Sequence, residues 1–236
     1  MRDSWRHFVA EFIGTFALVF IGSASLMSAQ LVGSPDILLF TSVATGLTMA
    51  LMVTATMRIS GHLNPATTIG FLVTRRMEPV MGVIYVIAQL LGAVIAGYAL
   101  KAVFPATVAT VTHLGGQTIS LDVTAVQAIL CEAIATFFLV FVVFGTAVDP
   151  AAPKVGGFAV GLTVTAGMLA IGPLTGGSMN PARSLGPAIA SGVFEGQAVF
   201  WAGPILGAVA AALLYDGLFL RRERDPAVHG AVRPRE

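Results

Sequence analysis

The sequence predicts an all-α membrane protein of six transmembrane helices plus two re-entrant half-helices, arranged as an inverted 3+3 repeat. Two observations carry that expectation. The tripeptide Asn-Pro-Ala occurs twice, as Asn64-Pro65-Ala66 and Asn180-Pro181-Ala182, and each copy opens an apolar stretch, about 66–74 and 182–190, roughly half the ~20 residues a membrane span needs. The chain is 56% hydrophobic and 11% charged, whereas an ordinary soluble domain carries about 25% charge, so most of its length is expected in the bilayer.

The spans follow in order at about 8–29, 37–57, 80–103, 125–147, 156–172 and 197–219, the fifth short but extendable. The first begins within ten residues of the start and no small-residue cleavage site follows it, so it is expected to remain as a span. All belong to a single domain, 1–236, with repeat one at about 8–103 and repeat two at about 125–219. The tail, about 221–236, is rich in Arg, contains Pro226 and Pro234, and is expected to be disordered. Cys131 is the one cysteine, which excludes an intrachain disulfide and a cysteine metal cluster; packing within the fourth span is its expected role.

The net charge of +1 conceals an asymmetry. With six spans both termini share a side, and that side collects Arg2, Arg6, Arg58, Arg75, Arg76, Lys154, Arg221, Arg222, Arg224, Arg233 and Arg235. The opposite side keeps Lys101, apart from Arg183 inside the second half-helix. The positive-inside rule therefore places both termini in the cytoplasm. Attraction to anionic lipid is the competing reading of these basic residues, and the topology signal is preferred over it. No basic domain is large enough to hold a duplex, so no nucleic-acid partner is expected.

The halves resemble each other beyond the tripeptides. Ala10-Glu11-Phe12-Ile13-Gly14-Thr15-Phe16 is echoed by Cys131-Glu132-Ala133-Ile134-Ala135-Thr136-Phe137. Each half has three spans, an odd number, so the second half runs through the membrane inverted relative to the first, with function at the midplane. One re-entrant segment then enters from each side, because backbone at membrane depth that is not a full span must be buried in protein or line a watery cavity. Small-residue spacings, Gly157-xxx-Gly161 and Gly203-xxx-Gly207, allow close helix approach.

Each Asn is placed to cap its half-helix, with Pro at the first helical position where a missing N–H is harmless. That leaves the amide N–H of Asn64 and Asn180 for the lumen, where the positive ends of both half-helices meet and repel cations. Gly61, Gly176 and Gly177 precede the tripeptides and permit unusual backbone angles; with His62, Leu63, Ser178 and Met179 they form the loops expected along the pore. Arg183 is always charged and too costly at this depth unless it sits at a wet constriction with loop carbonyls as partners. His62 fits two roles, lining the pore on the cytoplasmic side or holding its loop by packing and hydrogen bonds. Glu11 and Glu132 lie inside apolar spans, where proton relay and structural acceptor for loop N–H groups compete; their symmetry, and the lack of Lys or Arg in neighbouring spans, favour the structural role. No ligand spacing for a metal, no base and nucleophile pair and no cofactor motif is evident, so an enzyme is not expected. A secondary transporter is the alternative to a channel, since inverted repeats also serve alternating access.

With Ser60-Gly61-His62-Leu63-Asn64-Pro65-Ala66 and Gly177-Ser178-Met179-Asn180-Pro181-Ala182-Arg183-Ser184 read together, the chain resembles the aquaporin (major intrinsic protein) family over about residues 8–219. The resemblance implies a six-span bundle with two half-helices, a homotetramer with a pore in each subunit, and passive conduction of water or small uncharged solutes, such as glycerol, urea or ammonia, across a cell (plasma) membrane. It also implies selectivity positions near the outer mouth that look like Thr45, Met168, Gly177 and Arg183. Ala44 is the alternative to Thr45, because the loop before Asn64 is one residue shorter than the family pattern. Strict water channels resemble a Phe, His, small, Arg constriction, and glycerol channels a Trp, Gly, Phe, Arg one. Ser184, with Phe200-Trp201 in the last span, looks like the water branch. Thr45, Met168 and Gly177 nevertheless replace bulky aromatic and imidazole groups, so the filter is expected to be wider and less polar than a water-only one.

Overall fold

In the computed structural model, which describes residues 4–153 and 155–220, the helices are α1 (Ser4–Leu31), α2 (Ile37–Thr56), α3 (Pro65–Val73), α4 (Pro79–Val103), α5 (Ala106–Val111), α6 (Ala125–Val143), α7 (Phe158–Thr175), α8 (Pro181–Ser191) and α9 (Gln197–Tyr215). α1, α2, α4, α6, α7 and α9 are long and apolar enough to cross a membrane. α6 and α9 each run on into a π-helical turn, Phe144–Val148 and Asp216–Leu220. The tail at 221–236, with its five arginines, and Arg2 and Lys154 lie outside the described residues.

Both boundaries of the fifth span differ from the expected ones, each for a backbone reason. The fifth span starts at Phe158 because Gly156 has φ +58, a left-handed angle that no helix interior accepts, and it ends at the left-handed Gly176, whose N–H closes on Gly172 O. Both half-helices begin at the proline after the asparagine cap, Pro65 and Pro181, as expected, since proline's fixed φ suits the first helical position. Between the halves the chain forms the short α5 and a 3-10 turn, His113–Gly115, neither of which shows a helical period in sequence.

Packing repeats across the two halves. α1 runs parallel to α4, with His7 Nδ1 2.7 Å from Tyr85 Oη near one end and Gly92 against Phe12 further along. α6 runs parallel to α9 in the same way, where Gly203 and Gly207 admit the backbone of Ile129 and Ala133. Across the halves α2 lies antiparallel to α7: Gly157 and Gly161 face Ala50 and Gly46, and a Cβ on Gly157 would reach within 2.5 Å of Ala50 O. Both glycine pairs are thus close helix crossings, as their spacing leads one to expect.

The half-helices are exchanged between the halves. α3 of the first half packs on α9 of the second, with Gly70 against Ala208 and Ala212, while α8 packs on α4 of the first, with Gly186 against Ala93 and Gly97. Each is fastened where it leaves the bundle. Arg76 reaches Asp216 Oδ1 through Nη2 at 2.6 Å and Nε at 2.9 Å, tying the exit of α3 to the end of α9. Lys101 Nζ donates to Ala190 O at 3.0 Å, placing a cation at the carbonyl end of α8.

The loops leading into the half-helices are hung from two buried carboxylates. Glu11 accepts from His62 N at 2.8 Å, Leu63 N at 2.7 Å and Gln89 Nε2 at 2.6 Å, and it also bonds Ser60 Oγ. Glu132 accepts from Ser178 N at 2.8 Å, Met179 N at 2.7 Å and Thr175 Oγ1 at 2.7 Å. Both glutamates are fully buried, so their acceptors are occupied by the very N–H groups a re-entrant loop cannot give to water. Of the two roles open from sequence, this geometry is that of a structural acceptor.

Replacing Glu11 or Glu132 with Ala leaves two backbone donors unpaired at a cost of about 1–3 kcal/mol each. The thermal midpoint of the detergent-solubilised protein should fall for both variants, and Gln, which keeps one acceptor, should recover part of the loss. Solute flux in the parent should be independent of a proton gradient. Uphill transport driven by such a gradient would show the carboxylates to be relays.

Candidate functional site

The site is built where α3 and α8 begin. Asn64 (φ −157°, ψ 118°) and Asn180 (φ −156°, ψ 111°) take the same extended cap conformation. Asn64 Oδ1 accepts from Ala66 N at 2.9 Å; Asn180 Oδ1 accepts from Ala182 N at 3.0 Å and Arg183 N at 3.3 Å. Both caps therefore close orphan N–H groups at the N-termini of the half-helices.

The side-chain amides then cross to the opposite half. Asn64 Nδ2 donates to Met179 O at 2.8 Å, and Asn180 Nδ2 donates to Leu63 O at 2.8 Å. This corrects the expectation that each amide is wholly left for the lumen: one of its hydrogens is occupied by the other loop, and the second remains. The accepting residues are in left-handed backbone, Leu63 at φ +50 and Met179 at φ +52, a conformation costing about 1–2 kcal/mol without glycine. The turn aims their carbonyls at the facing asparagine. The unusual angle expected at Gly61 falls on Leu63 instead, whereas Gly176 (φ +75) and Gly177 (φ +60) do adopt it. A Cβ on Gly61 would meet nothing closer than 3.5 Å, so neither space nor angle requires glycine there.

Arg183, two residues into α8 and 5% exposed, donates from Nη1 to Gly177 O at 2.9 Å. It lines two cavities. One, of about 390 Å³, opens toward the Lys101 end and is bounded by Thr41, Gln117, Met168 and Gly176. The other, of about 10 Å³, lies between Thr45, Met49, Asn64, Asn180 and Ser178. A volume of that size admits about one water, beside the two asparagines. At the far end a third cavity, of about 210 Å³, is lined by Val53, Met57, Gly61, His62, Phe71 and Tyr85.

The wall facing the loops is apolar and periodic. α2 contributes Thr41, Thr45, Met49, Val53 and Met57 at successive i, i+4 positions; α7 adds Val160, Val164, Met168 and Gly172, and α6 adds Leu139 and Val143. The threonines on that wall occupy their own hydrogens, Thr41 Oγ1 donating to Ile37 O and Thr45 Oγ1 to Thr41 O. Donors toward the lumen therefore come from one side, from Asn64, Asn180 and Arg183.

Most of the expected site residues meet here. Thr45 lines the narrow gap, while the half-buried Ala44 lines none of these cavities. Pro65, Ala66, Pro181 and Ala182 are buried as the first turns of the half-helices. His62 combines both of its readings: its ring faces the third cavity, and Nδ1 lies 3.1 Å from Thr68 Oγ1. Leu63 departs from expectation, because its left-handed turn sends the side chain into the core against Gly14 while its carbonyl accepts from Asn180. Gly177 likewise acts through its carbonyl on Arg183. Sequence reading missed Leu18, Thr41, Met49, Leu139 and Val164. Counting four residues either way from Thr45 and Met168 would have found Thr41, Met49 and Val164. Gln117, 7% exposed with Oε1 unpartnered among the described residues, comes from the long connection between the halves, where no periodic signal exists.

A family model described as Major intrinsic protein matches residues 1–215. Aquaporin TIP4-4 of Zea mays is 41% identical over 223 residues, covering 91% of this chain and 87% of its own length. Aquaporin TIP2-1 of Arabidopsis thaliana is 39% identical over 227 residues, 92% and 88% of the two chains. Aquaporin NIP3-1 of Oryza sativa subsp. japonica is 40% identical over 221 residues, 92% and 70%. Among solved structures, the aquaglyceroporin from Plasmodium falciparum superposes with a TM-score of 0.78 at 25% identity, covering 93% of this chain and 98% of that one. With its paired capped half-helices and narrow gap, this chain belongs to the major intrinsic protein family, as a multi-pass membrane channel that passes water and small solutes by passive conduction.

Proposed function

We propose that the single domain forms an ion-tight pore for water and for at least one larger neutral solute of the glycerol, urea or ammonia class. The observation that carries the ion-tight part of this reading is the gap of about 10 Å³ between two capped helix N-termini. Each N-terminus presents about half a positive charge, so cations, hydronium included, meet a barrier where neutral molecules exchange hydration for the amides of Asn64 and Asn180. Arg183 acts as a second donor above that gap, held by Gly177, and Thr45 and Met168 form the facing wall. That wall offers little polarity, since the Thr45 hydroxyl is occupied within its own helix.

The same reading extends to placement. Arg58, Arg75 and Arg76 on one face, against Lys101 on the other, support cytoplasmic termini in a cell membrane. Exposed apolar side chains along α2 and α7, among them Phe40, Leu47, Leu51, Leu162 and Leu169, suit association into a homotetramer with lipid around it. Stopped-flow light scattering on proteoliposomes, with water, glycerol, urea and ammonia gradients in parallel, tests the central claim. Water flow no faster than in empty vesicles would refute it.

Two substitutions probe the parts separately. Asn64→Asp and Asn180→Asp each place a carboxylate where both helix ends favour an anion, and each removes the donor that crosses to the opposite loop, a loss of about 1 kcal/mol. Proton or sodium leak should rise in folded protein, read as faster decay of an imposed gradient. Variants that conduct water and stay as ion-tight as the parent would rule out the dipole barrier.

The double change Thr45→Phe with Met168→His restores bulk and polarity at the filter. Flux of the larger solute should fall much more than water flux, by roughly tenfold if one fitted contact worth about 1.4 kcal/mol is lost. A parent that passes water yet excludes glycerol, urea and ammonia would show Met168 closing the space, and the pore would be water-specific.

A further inference from the structure

We infer that Met168 is a modification site, a thioether reached only through the lumen whose oxidation by a conducted peroxide throttles the pore at Arg183. The inference rests on the channel reading above, because Met168 is 1% exposed overall yet bounds the outer cavity together with Arg183 and Thr41. Hydrogen peroxide is neutral and close to water in size and hydrogen bonding, so a passage that admits water admits the oxidant to this sulfur.

The position of the side chain gives its oxidation a consequence. A Cβ built on Gly177 would lie 3.0 Å from Met168 Cα and 3.3 Å from its Cγ. Gly177 O in turn holds Arg183 Nη1 at 2.9 Å. The Met168 backbone and Cγ thus lie against Gly177, whose carbonyl holds the guanidinium. In the reaction the Met168 sulfur attacks one peroxide oxygen; the S–O bond forms as the O–O bond breaks, and the departing hydroxide takes the remaining proton to leave as water. Sulfur is oxidised by two electrons and peroxide is reduced. The product carries a polar, chiral S=O group on a previously apolar wall. That oxygen is an acceptor with no donor of its own, in the cavity that Arg183 also lines, and it competes with a passing solute for a guanidinium N–H.

The other methionines supply internal references. Met27 is fully buried in a cluster with Leu100, Val108, Leu114 and Ala190, away from the cavities described. Met57 is 43% exposed and lines the cavity at the opposite end. Oxidation that follows the lumen therefore reaches Met57 and Met168, reaches Met49 and Met179 where the oxidant enters the narrow gap, and spares Met27, whereas oxidation through unfolding makes no such distinction.

The test uses proteoliposomes of the parent, Met168→Leu and Met168→Gln. Water and urea fluxes are measured before and after hydrogen peroxide treatment, each protein against its own untreated value, and sulfoxide is mapped by peptide mass spectrometry. In the parent, Met168 sulfoxide should form while Met27 stays reduced, and solute flux should drop by about tenfold, the equivalent of one charge-assisted hydrogen bond. The Leu variant, which has no sulfur at this place, should keep its untreated flux. The Gln variant, whose amide oxygen stands where the sulfoxide oxygen would, should conduct less than the Leu variant without any peroxide. A water-conducting parent in which Met57 is fully oxidised and Met168 is not overturns the inference, as does a Met168 sulfoxide that leaves flux unchanged, or a Leu variant that loses flux in parallel with the parent. A parent with no water flow above empty vesicles overturns the channel reading, and this inference with it.

Discussion

Everything in this bundle depends on the reciprocal pair of hydrogen bonds at its centre, Asn64 to Met179 O and Asn180 to Leu63 O. Two half-helices that enter from opposite sides present positive ends to each other, and like ends repel. Left to themselves they would separate or admit an anion. Each asparagine instead binds its own helix through Oδ1 and the other loop through Nδ2, so one side chain closes an N-terminus and bridges the halves. An aspartate, although a good cap, has no N–H for the second task, and a serine lacks the length. The recurrence of Asn in both tripeptides follows from that double requirement.

The latch holds because the loops that feed it are fixed from behind. Leu63 and Met179 are in left-handed backbone, which a free loop would relax. Their N–H groups are held by Glu11 Oε2 and Glu132 Oε2, both at 2.7 Å, so the peptide on one side of each strained residue is tied to a span while its carbonyl is tied to the opposite asparagine. The exchanged packing of α3 on α9 and α8 on α4 has the same effect at larger scale. Neither half can close its own core without the other's half-helix, and so the two halves assemble as one body around the gap.

Much of this was legible in sequence because it rests on local, periodic chemistry. Six apolar runs, the Asn-Pro signal and the repeated glutamate all report short-range or same-helix constraints, and the helices fall where those signals lie. What escaped is what depends on facing surfaces. That Leu63 rather than Gly61 takes the left-handed angle is decided by the asparagine of the other half, more than a hundred residues away. That Lys101 sits at the end of α8 is decided by the exchange of half-helices; in sequence it read only as a topology exception. Gln117 belongs to an aperiodic connection, and its place beside the outer cavity follows from the fold of that connection over α8. The apolar wall occupied an intermediate position, since its i, i+4 rows are visible once a single member, Thr45 or Met168, has been placed.

The two halves are most alike at the centre and least alike toward the mouths, and this separates two tasks. At the midplane the caps, the crossed amides and the strained residues match almost atom for atom. Away from it, the hydroxyls of Ser60 and Thr175 still correspond, but Glu11 is also joined by Gln89 from α4, whereas Gly203 of α9 presses against the side chain of Glu132. One mouth carries the rings of His62, Phe71 and Tyr85, with His62 centred 4.2 Å from Phe71. The other carries Arg183, Met168 and Gln117. A barrier against cations needs two opposed helix ends and gains from symmetry, since the two half-charges then add at one point. Discrimination among neutral solutes gains nothing from symmetry, because a molecule filtered once on entry need not be filtered again. A duplicated fold can therefore hold its centre fixed while one mouth changes, and on the reading proposed here the combination of Arg183 with a threonine whose hydrogen is occupied and a pliant thioether is what distinguishes this pore.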